Sequence, residues 1–269
     1  MHLKRWITGI VSLPFLFLII YKGGPLFAVS LSIICVLALW EYFRIVFNAK
    51  GKTISGIILL LAIFVGPVII WTAYKNSLGF IISIVAFNLI SSSLIVLTQF
   101  KSDPFILENF TKQILGIIYI PILLSFLVMI RNGTDGMLWI FFLLLVVFAG
   151  DIGAFYVGSY FGRYKLCPSV SPKKTIEGSI GGLSSNLVVG VLFKYIFLPW
   201  LPLGVSILFS LSIGIAGQVG DLFESSLKRS ADIKDSGSLL PGHGGILDRI
   251  DALLFAAPVA YFFKEFIFC

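Results

Sequence analysis

The chain has 269 residues, of which 58% are hydrophobic and 12% are charged, and its mean hydropathy is +1.02. A soluble domain carries about 25% charged residues, so this composition excludes an ordinary soluble protein and indicates that lipid surrounds most of the chain. Lys and Arg outnumber Asp and Glu by 20 to 13, for a net charge of +7. In a membrane protein such an excess gathers in cytoplasmic loops beside anionic headgroups, so we do not expect a nucleic-acid partner.

Nine apolar stretches are candidates for membrane helices, each of which needs about 20 mainly apolar residues. They are 6–21, 25–47, 54–74, 78–98, 113–130, 137–161, 179–198, 203–224 and 247–266. The first lacks a small-residue cleavage site, so we interpret it as a membrane helix rather than a signal peptide. A broken or re-entrant segment among the nine is the alternative. The sequence therefore predicts an all-α polytopic integral membrane protein with about nine transmembrane helices in a single membrane domain.

The basic residues predict the orientation of these spans. With the N-terminus inside, 15 of the 20 Lys and Arg residues fall on the inner side. The remaining five are Lys22, Lys75, Arg131, Lys194 and Lys264. The positive-inside rule then predicts a cytoplasmic N-terminus. Residues 1–135 supply helices of no assigned role, and residues 136–269 carry most of the polar groups, with cytoplasmic loops at 162–178 and 225–247.

Cysteine and histidine usage narrows the chemistry. The three cysteines, Cys35, Cys167 and Cys269, are far apart and form no CxxC pattern, so neither a disulfide framework nor a thiolate metal site is indicated. The only histidines are His2 and His243, which excludes a His-rich metal site. Any metal would therefore have oxygen ligands.

Four acidic residues, Glu41, Asp151, Asp221 and Glu224, lie within predicted spans, where charge is costly and commonly functional. The predicted orientation places them in the cytoplasmic halves of their helices. For Glu41, an interfacial ion pair with Arg44, one turn along, is an equally good interpretation. For Glu224, the alternative is a helix end whose side chain reaches the interface.

A glycine-rich segment precedes the last predicted helix. Gly244 and Gly245 permit backbone conformations that aim several N–H groups at one anion, and the following helix adds its N-terminal dipole. We therefore predict that this segment binds phosphate. We interpret the neighbouring His243 as organising the segment or contacting phosphate rather than as a general base.

Carboxylates and cations surround this segment. Asp248 and Asp251 are three residues apart, so they share one face of a first helical turn. Such a pair suits a magnesium site, because Mg²⁺ favours one or two carboxylates plus substrate phosphates and water. The cations predicted to meet phosphate oxygens are Lys228, Arg229, Lys234 and Arg249.

A second basic cluster lies in the loop 162–178. Its hydroxyl, basic and acidic residues are Ser171, Lys173, Lys174, Thr175 and Glu177. The next helix is expected to start near Gly181, so this is again a loop that leads into a helix N-terminus. A solvated basic loop facing lipid headgroups is the alternative. The hydroxyl groups, together with Pro172 and the glycines, favour a shaped phosphate-binding loop.

Residues 225–251 resemble the signature of the phosphatidate cytidylyltransferase (CDP-diacylglycerol synthase) family. The matching positions are Ser225, Leu227, Lys228, Arg229, Lys234, Asp235, His243, Gly244, Gly245, Asp248, Arg249 and Asp251. The stretches 171–178 and 150–155 also resemble this family. The resemblance thus covers roughly residues 150–251.

This resemblance implies an enzyme of phospholipid biosynthesis that condenses CTP with phosphatidic acid, releasing CDP-diacylglycerol and pyrophosphate. It implies Mg²⁺ as cofactor, a second cation such as K⁺, and a homodimer. The expected location is the inner (cytoplasmic) membrane, with the active site facing the cytoplasm.

The resemblance and the residue chemistry together assign roles within the site. The expected catalytic residues are Asp221, Asp248, Asp251, Lys228 and Arg229, the three acids also being the metal ligands. The expected substrate-binding residues are Ser171, Lys173, Lys174, Thr175, Lys234, His243, Gly244, Gly245 and Arg249. Additional candidates are Asp151, Glu177 and Glu224.

Two other functions compete with this hypothesis. A CTP-dependent polyprenol or phytol kinase would carry similar basic loops but would release CDP rather than pyrophosphate. A secondary transporter would place its polar site near the bilayer midplane. Because most polar residues here cluster at one end of the predicted spans, the sequence favours an interfacial enzyme.

Overall fold

The computed structural model describes residues 13–48, 56–237, 239 and 244–267, and these are mostly helical. The helices are α1 (Leu13–Lys22), α2 (Gly24–Asn48), α3 (Gly56–Tyr74), α4 (Leu78–Gln99), α5 (Ile106–Ile117), α6 (Leu123–Asn132), α7 (Gly136–Phe161), α8 (Ile176–Phe197), α9 (Leu203–Ser230) and α10 (Leu247–Phe262). Two π-helical turns cover Ile118–Ile122 and Phe263–Ile267, and a hairpin pairs β1 (Lys165–Cys167) with β2 (Ser171–Thr175).

Six helical segments of the described chain are long and apolar enough to cross a membrane. They are Gly24–Phe47, Leu78–Gln99, Ile106–Asn132, Gly136–Phe161, Ile176–Phe197 and Leu203–Ser230. The expected class, an all-α polytopic membrane protein, is therefore confirmed. The other three expected spans are 6–21, 54–74 and 247–266, and the first two lie partly outside the described residues. Their described parts form the shorter helices α1, α3 and α10, so the count of nine and the orientation stay predictions.

The fifth expected span, 113–130, is part of a longer segment. α5, the π-helical turn and α6 follow one another without a break from Ile106 to Asn132. Pro121 lies inside the π-helical turn, and proline has no N–H with which to continue an α-helical ladder. A local π-helical register accommodates the proline and lets the helix continue.

The chain divides into two compact units. The first unit comprises the described parts of Met1–Asn132 and Ser230–Arg249, and the second comprises those of Gly133–Arg229 and Ile250–Cys269. The first boundary between the units thus falls after Asn132, three residues before the expected boundary at 135. Residues 230–249 group with the N-terminal helices. The interpretation of the chain as one membrane domain stays a prediction.

Close helix contacts in the first unit depend on small residues. A Cβ atom added at Gly66 of α3 would lie 2.8 Å from Leu39 of α2, and one at Gly116 of α5 would lie 2.7 Å from the Tyr42 ring. The Tyr42 hydroxyl also donates to the Lys112 carbonyl over 2.9 Å. Small residues are what allow membrane helices to approach this closely, so α2 is firmly packed in its unit.

The second unit is built on α7, α8 and α9. A Cβ atom added at Gly153 of α7 would lie 2.0 Å from the Ser185 hydroxyl of α8, and one at Gly190 of α8 would lie 1.8 Å from the Ser210 hydroxyl of α9. Farther along these helices, Phe142 stacks on Phe193 with ring centroids 4.8 Å apart. These contacts form a rigid three-helix frame.

Three boundaries differ from the sequence-based expectation. The expected loop 162–178 contains the β1–β2 hairpin. α8 begins at Ile176 rather than near Gly181, and α9 continues to Ser230, so residues 225–230 are helical rather than loop. The expected spans followed hydropathy alone, which misses polar helical turns such as the end of α9. Contacts between side chains one turn apart support such turns.

Candidate active site

The β1–β2 hairpin leads directly into α8, and two side chains fix this junction. The Thr175 hydroxyl accepts a hydrogen bond from the Gly178 N–H over 3.1 Å, which makes it the N-cap of α8. Glu177 accepts hydrogen bonds from the Arg163 and Tyr164 N–H groups over 3.1 and 3.2 Å. Thr175 and Glu177, both expected at the site, thus tie the end of α7 and the hairpin to the start of α8.

The hairpin brings a lysine against an acid of α9. Lys174 Nζ lies 2.5 Å from Asp221 Oδ2, and the two side chains are 28% and 35% exposed. One turn earlier on α9, Gln218 Nε2 donates to the Ser179 carbonyl over 3.0 Å, and the Ser179 hydroxyl donates to the Gln218 side-chain oxygen. Polar contacts one turn apart therefore join α9 to the hairpin and to α8.

These residues line a cavity of about 480 Å³ within the second unit. Its polar lining includes Asp151, Lys173, Lys174, Ser179, Gln218 and Asp221. Deeper along α8, Asn186 also lines the cavity, is 1% exposed, and has no hydrogen-bond partner for Oδ1 in the described part of the chain. The volume lies within the range of small-ligand pockets. The cavity thus combines this size with charged groups beside an apolar interior.

Asp251 of α10 belongs to the same group of charges. Asp221, Lys228 and Asp151 all act electrostatically on its carboxylate, Asp221 most strongly. The approach of α9 to α10 is close there, because a Cβ atom added at Gly220 would lie 2.5 Å from the Asp251 carbonyl oxygen. Two of the three predicted metal ligands, Asp221 and Asp251, are thus neighbours in one unit.

The last turns of α9 bury one of the candidate acids. Glu224 is fully buried and forms an ion pair with Lys228, one turn along the helix. The alternative interpretation of Glu224, a side chain reaching the interface from a helix end, is therefore wrong. The neighbouring Arg229 donates from Nε to the Val170 carbonyl over 3.1 Å, so it contacts the hairpin turn.

A second polar cluster lies in the first unit, around Glu41 of α2. Glu41 is 1% exposed and accepts hydrogen bonds from the Ser236 hydroxyl, the Ile246 N–H and the Leu247 N–H over 2.8, 3.0 and 2.9 Å. Arg44 donates to the Ser236 carbonyl over 2.5 Å instead. The alternative of a simple interfacial Glu41–Arg44 pair is therefore wrong.

Asp248 belongs to this second cluster. Its carboxylate accepts hydrogen bonds from the Ser236 N–H over 3.0 Å and from the Gly245 N–H over 2.8 Å. Gly244 has a φ of +80°, and a Cβ atom there would lie 2.6 Å from Asp248 Oδ2. The N–H groups expected to bind phosphate at Gly245 and the start of α10 thus donate to carboxylates of the protein itself.

The remaining site residues lie apart from these contacts. Lys234 and Asp235 are exposed, as is Arg249 in the first turn of α10, and Ser171 begins β2. His243 lies outside the described residues. Within residues 13–48, 56–237, 239 and 244–267, no group of three or more His, Cys, Asp or Glu side chains is assembled to hold a metal ion. Asp248 falls in the first unit, whereas Asp221 and Asp251 fall in the second.

Sequence reasoning missed Ser179, Asn186 and Gln218 as cavity residues. All three lie in or beside predicted spans, and a polar amide within an apolar helix is a usable signal. Their proximity depends on how α8 packs against α9, which the sequence alone did not show.

The chain matches the family model described as the cytidylyltransferase family over residues 3–267. It is similar to proteins named phosphatidate cytidylyltransferase. The one from Bacillus subtilis (strain 168) is 36% identical over 264 residues, which cover 96% of each chain. The one from Staphylococcus aureus (strain COL) is 34% identical over 95% of this chain and 96% of its own length. The one from Synechocystis sp. is 32% identical over 98% of this chain and 96% of its own length. The chain therefore belongs to the cytidylyltransferase family and is a membrane nucleotidyltransferase.

Proposed function

We propose that this chain is a phosphatidate cytidylyltransferase, which transfers the cytidylyl group of CTP to phosphatidic acid and releases pyrophosphate. The observation that carries the proposal is the cavity of the second unit, where Lys173, Lys174, Asp151 and Asp221 line one space. A site that joins two phosphate-bearing substrates needs cations to bind the phosphates and carboxylates to hold a metal. Relatives that match nearly the whole chain carry the same name.

The reaction is an in-line substitution at phosphorus. An oxygen of the lipid phosphate forms a bond to the α-phosphorus of CTP, while the bond from that phosphorus to the oxygen bridging to the β-phosphate breaks. Pyrophosphate leaves with the bonding electron pair. The lipid phosphate is a monoester and is already largely ionised at neutral pH, so no side chain has to remove a proton from the nucleophile.

The main task of the protein is to bring two anions together. Lys173 lies at the cavity and is exposed, so it is placed to screen the phosphates of an incoming nucleotide. Lys174, already beside Asp221, would bring a second cation to these phosphates. Preorganised cations stabilise the charge that develops in such a transition state. We propose further phosphate contacts by Lys228, Arg229, Lys234, Arg249 and His243.

The residues present fit a magnesium ion bound partly by substrate. Asp221 lines the cavity, and the backbone of Asp251 packs against the neighbouring Gly220. Mg²⁺ in nucleotide enzymes commonly takes one or two carboxylates and completes its shell with phosphate oxygens and water. When bound there, the ion would withdraw negative charge from the phosphates. Asp248 is a less direct candidate because its carboxylate accepts two backbone hydrogen bonds. A second cation such as K⁺ is also part of the proposal.

The proposal includes a location and an assembly. Phosphatidic acid would enter from the bilayer, and CTP would enter from the cytoplasm, so we place the cavity on the cytoplasmic side of the inner membrane. The excess of Lys and Arg in the loops assigned to that side supports this placement. We also propose a homodimer, which the family resemblance implies.

Product analysis with two labels tests the proposed reaction. The purified protein is supplied with phosphatidic acid, Mg²⁺ and CTP labelled separately at the α and γ phosphates. We expect the α label in the lipid and the γ label in pyrophosphate. Transfer of the γ label to an added polyprenol would instead identify a lipid kinase. A folded protein that labels no lipid would contradict both enzyme functions.

A further inference from the structure

Glu41 is a buried acid that the proposed chemistry does not use. We infer that Glu41 is a positioning residue, which holds Ser236 and residues 244–248 in place by binding the N-terminus of α10. Asp248 and Arg249, both candidate site residues, lie in the first turn of that helix. The inference rests on the proposed function for its effect on turnover, but the contact that it invokes can be measured separately.

The first argument is the chemistry of the helix end. The first N–H groups of an α-helix have no partner within the helix, and α10 begins at Leu247. Glu41 Oε2 accepts the Leu247 N–H, and Oε1 accepts the N–H of the preceding Ile246. A negative carboxylate is also favourable at the positive end of a helix dipole. Glu41 therefore caps α10 from a helix that lies about 200 residues earlier in the chain.

The second argument is the shape of the backbone around the carboxylate. A Cβ atom added at Gly237 or at Gly245 would lie 2.3 Å from an oxygen of Glu41. The backbone at Gly237 and at Gly245 therefore passes so close to the carboxylate that a side chain at either position would displace it. The Ser236 hydroxyl closes the arrangement with its own hydrogen bond to Glu41.

The third argument is that the contacts form a connected network. Ser236 donates its hydroxyl to Glu41 and its N–H to Asp248, and its carbonyl accepts a hydrogen bond from Arg44. Asp248 in turn accepts the Gly245 N–H. Through Glu41 and Arg44, α2 thus contributes an acceptor and a donor that hold Ser236 and the start of α10 in place. This assigns a role to a helix for which the sequence predicted none.

The cost of burying Glu41 supports a role beyond packing. A buried carboxylate is expensive to desolvate, and well-packed apolar residues at such a site often stabilise a protein at least as well. The hydrogen bonds of Glu41 go to the segment that carries Gly244, Gly245 and Asp248, rather than to its own helix. The arrangement therefore serves the geometry of that segment.

The test replaces Glu41 by glutamine in the full-length protein. Glu41→Gln keeps the size of the side chain but turns one acceptor oxygen into an NH₂ group, which faces an N–H donor. We expect kcat to fall by about 10-fold to 100-fold, as for other residues that support a site indirectly, with kcat/KM for CTP falling in parallel. Hydrogen–deuterium exchange should accelerate at the Ile246 and Leu247 amides.

A matched control separates this effect from a general loss of charge. Glu108→Gln makes the same change at a partly exposed carboxylate of the first unit, which pairs with Lys112 over 2.9 Å. It should leave both turnover and the exchange of residues 246–247 at the level of the parent protein.

Ser236→Ala removes only one of the three donors to Glu41, so it should give a smaller loss of turnover. This variant keeps the inference testable if Glu41→Gln does not fold.

Three outcomes would overturn the inference. They are parent-level turnover in folded Glu41→Gln, unchanged exchange at Ile246 and Leu247, and exchange that rises equally throughout α2. The last would show a structural role only. If the parent protein transfers no cytidylyl group but the local exchange effect appears, the proposed function fails while the contact stands. If cytidylyl transfer occurs and Glu41→Gln leaves it unchanged, the proposed function stands and the inference fails.

Discussion

Two acidic residues of the first unit, Glu41 and Asp248, accept hydrogen bonds from backbone N–H groups, whereas two of the second unit, Asp151 and Asp221, line a cavity. Glu41 and Asp248 accept five hydrogen bonds from Ser236 and from the residues that open α10. Asp221 instead meets Lys174 at the edge of a space of about 480 Å³. Side chains of the same type thus take on different tasks. An acid whose oxygens already bind N–H groups organises the chain, and an acid beside a cavity is placed to serve a ligand.

The largest expected effect tests the cavity side of this comparison. Asp221→Asn removes the charge beside Lys174 and one of the two carboxylates proposed for the metal, so turnover should fall by about 100-fold to 1,000-fold. Transfer of the α label of CTP to lipid measures it. Asp135→Asn is a suitable control, because Asp135 is exposed and has a φ of 51°, a conformation that asparagine tolerates. Loss of activity of less than threefold in Asp221→Asn would argue against this site.

A second pair of variants, at Asp248 and Asp251 of α10, separates an acid that organises the chain from an acid that serves a ligand. Asp248→Asn weakens the contacts to Ser236 and Gly245, so exchange of those two amides should accelerate, and turnover should fall by about 10-fold to 100-fold. Asp251→Asn should also lower turnover but should leave that exchange unchanged. Hydrogen–deuterium exchange combined with the label assay measures both. Equal exchange profiles for the two variants would remove the distinction between them.

A smaller effect concerns the frame around the cavity. Gly153→Ala would put a Cβ atom 2.0 Å from the Ser185 hydroxyl and 2.9 Å from the Gly181 carbonyl oxygen. Overpacking of this kind costs about 1 to 3 kcal/mol of the free energy of unfolding. Thermal unfolding in detergent should show a lower Tm. Gly204→Ala is the control, since no atom lies within 4 Å of a Cβ there, and a Tm that falls equally in both variants would contradict the packing argument.

The smallest expected effect concerns Thr175, which the sequence suggested as a substrate contact. Thr175→Ala removes the N-cap of α8 and should cost about 1 kcal/mol of stability. Thr175→Ser keeps the hydroxyl and should restore most of it. Thermal unfolding measures the cost, and the KM for CTP shows whether the hydroxyl also binds substrate. A raised KM without any loss of stability would show that Thr175 binds substrate rather than capping α8.

Composition and local patterns were enough to predict the class of this protein, and they also marked candidate site residues. Apolar runs of about 20 residues predict membrane helices because backbone groups in lipid must be satisfied within each segment. The clusters around Lys173 and Lys174, and from Lys228 to Asp251, were visible as local patterns. The six apolar helices and the family match over residues 3–267 confirm the predicted membrane class and enzyme family, and the site clusters stay predictions.

The contacts of each charged group became visible only in the folded chain. The Glu41–Leu247 hydrogen bond joins residues 206 positions apart, and the Lys174–Asp221 pair joins two separate elements. The N–H groups that open α10 were expected to bind phosphate, but the structure places Glu41 and Asp248 on them. Hydropathy and spacing describe neighbours along the chain. The partners of buried charges are set by helix packing, because desolvation forces each charge to find whichever complementary group the fold brings near.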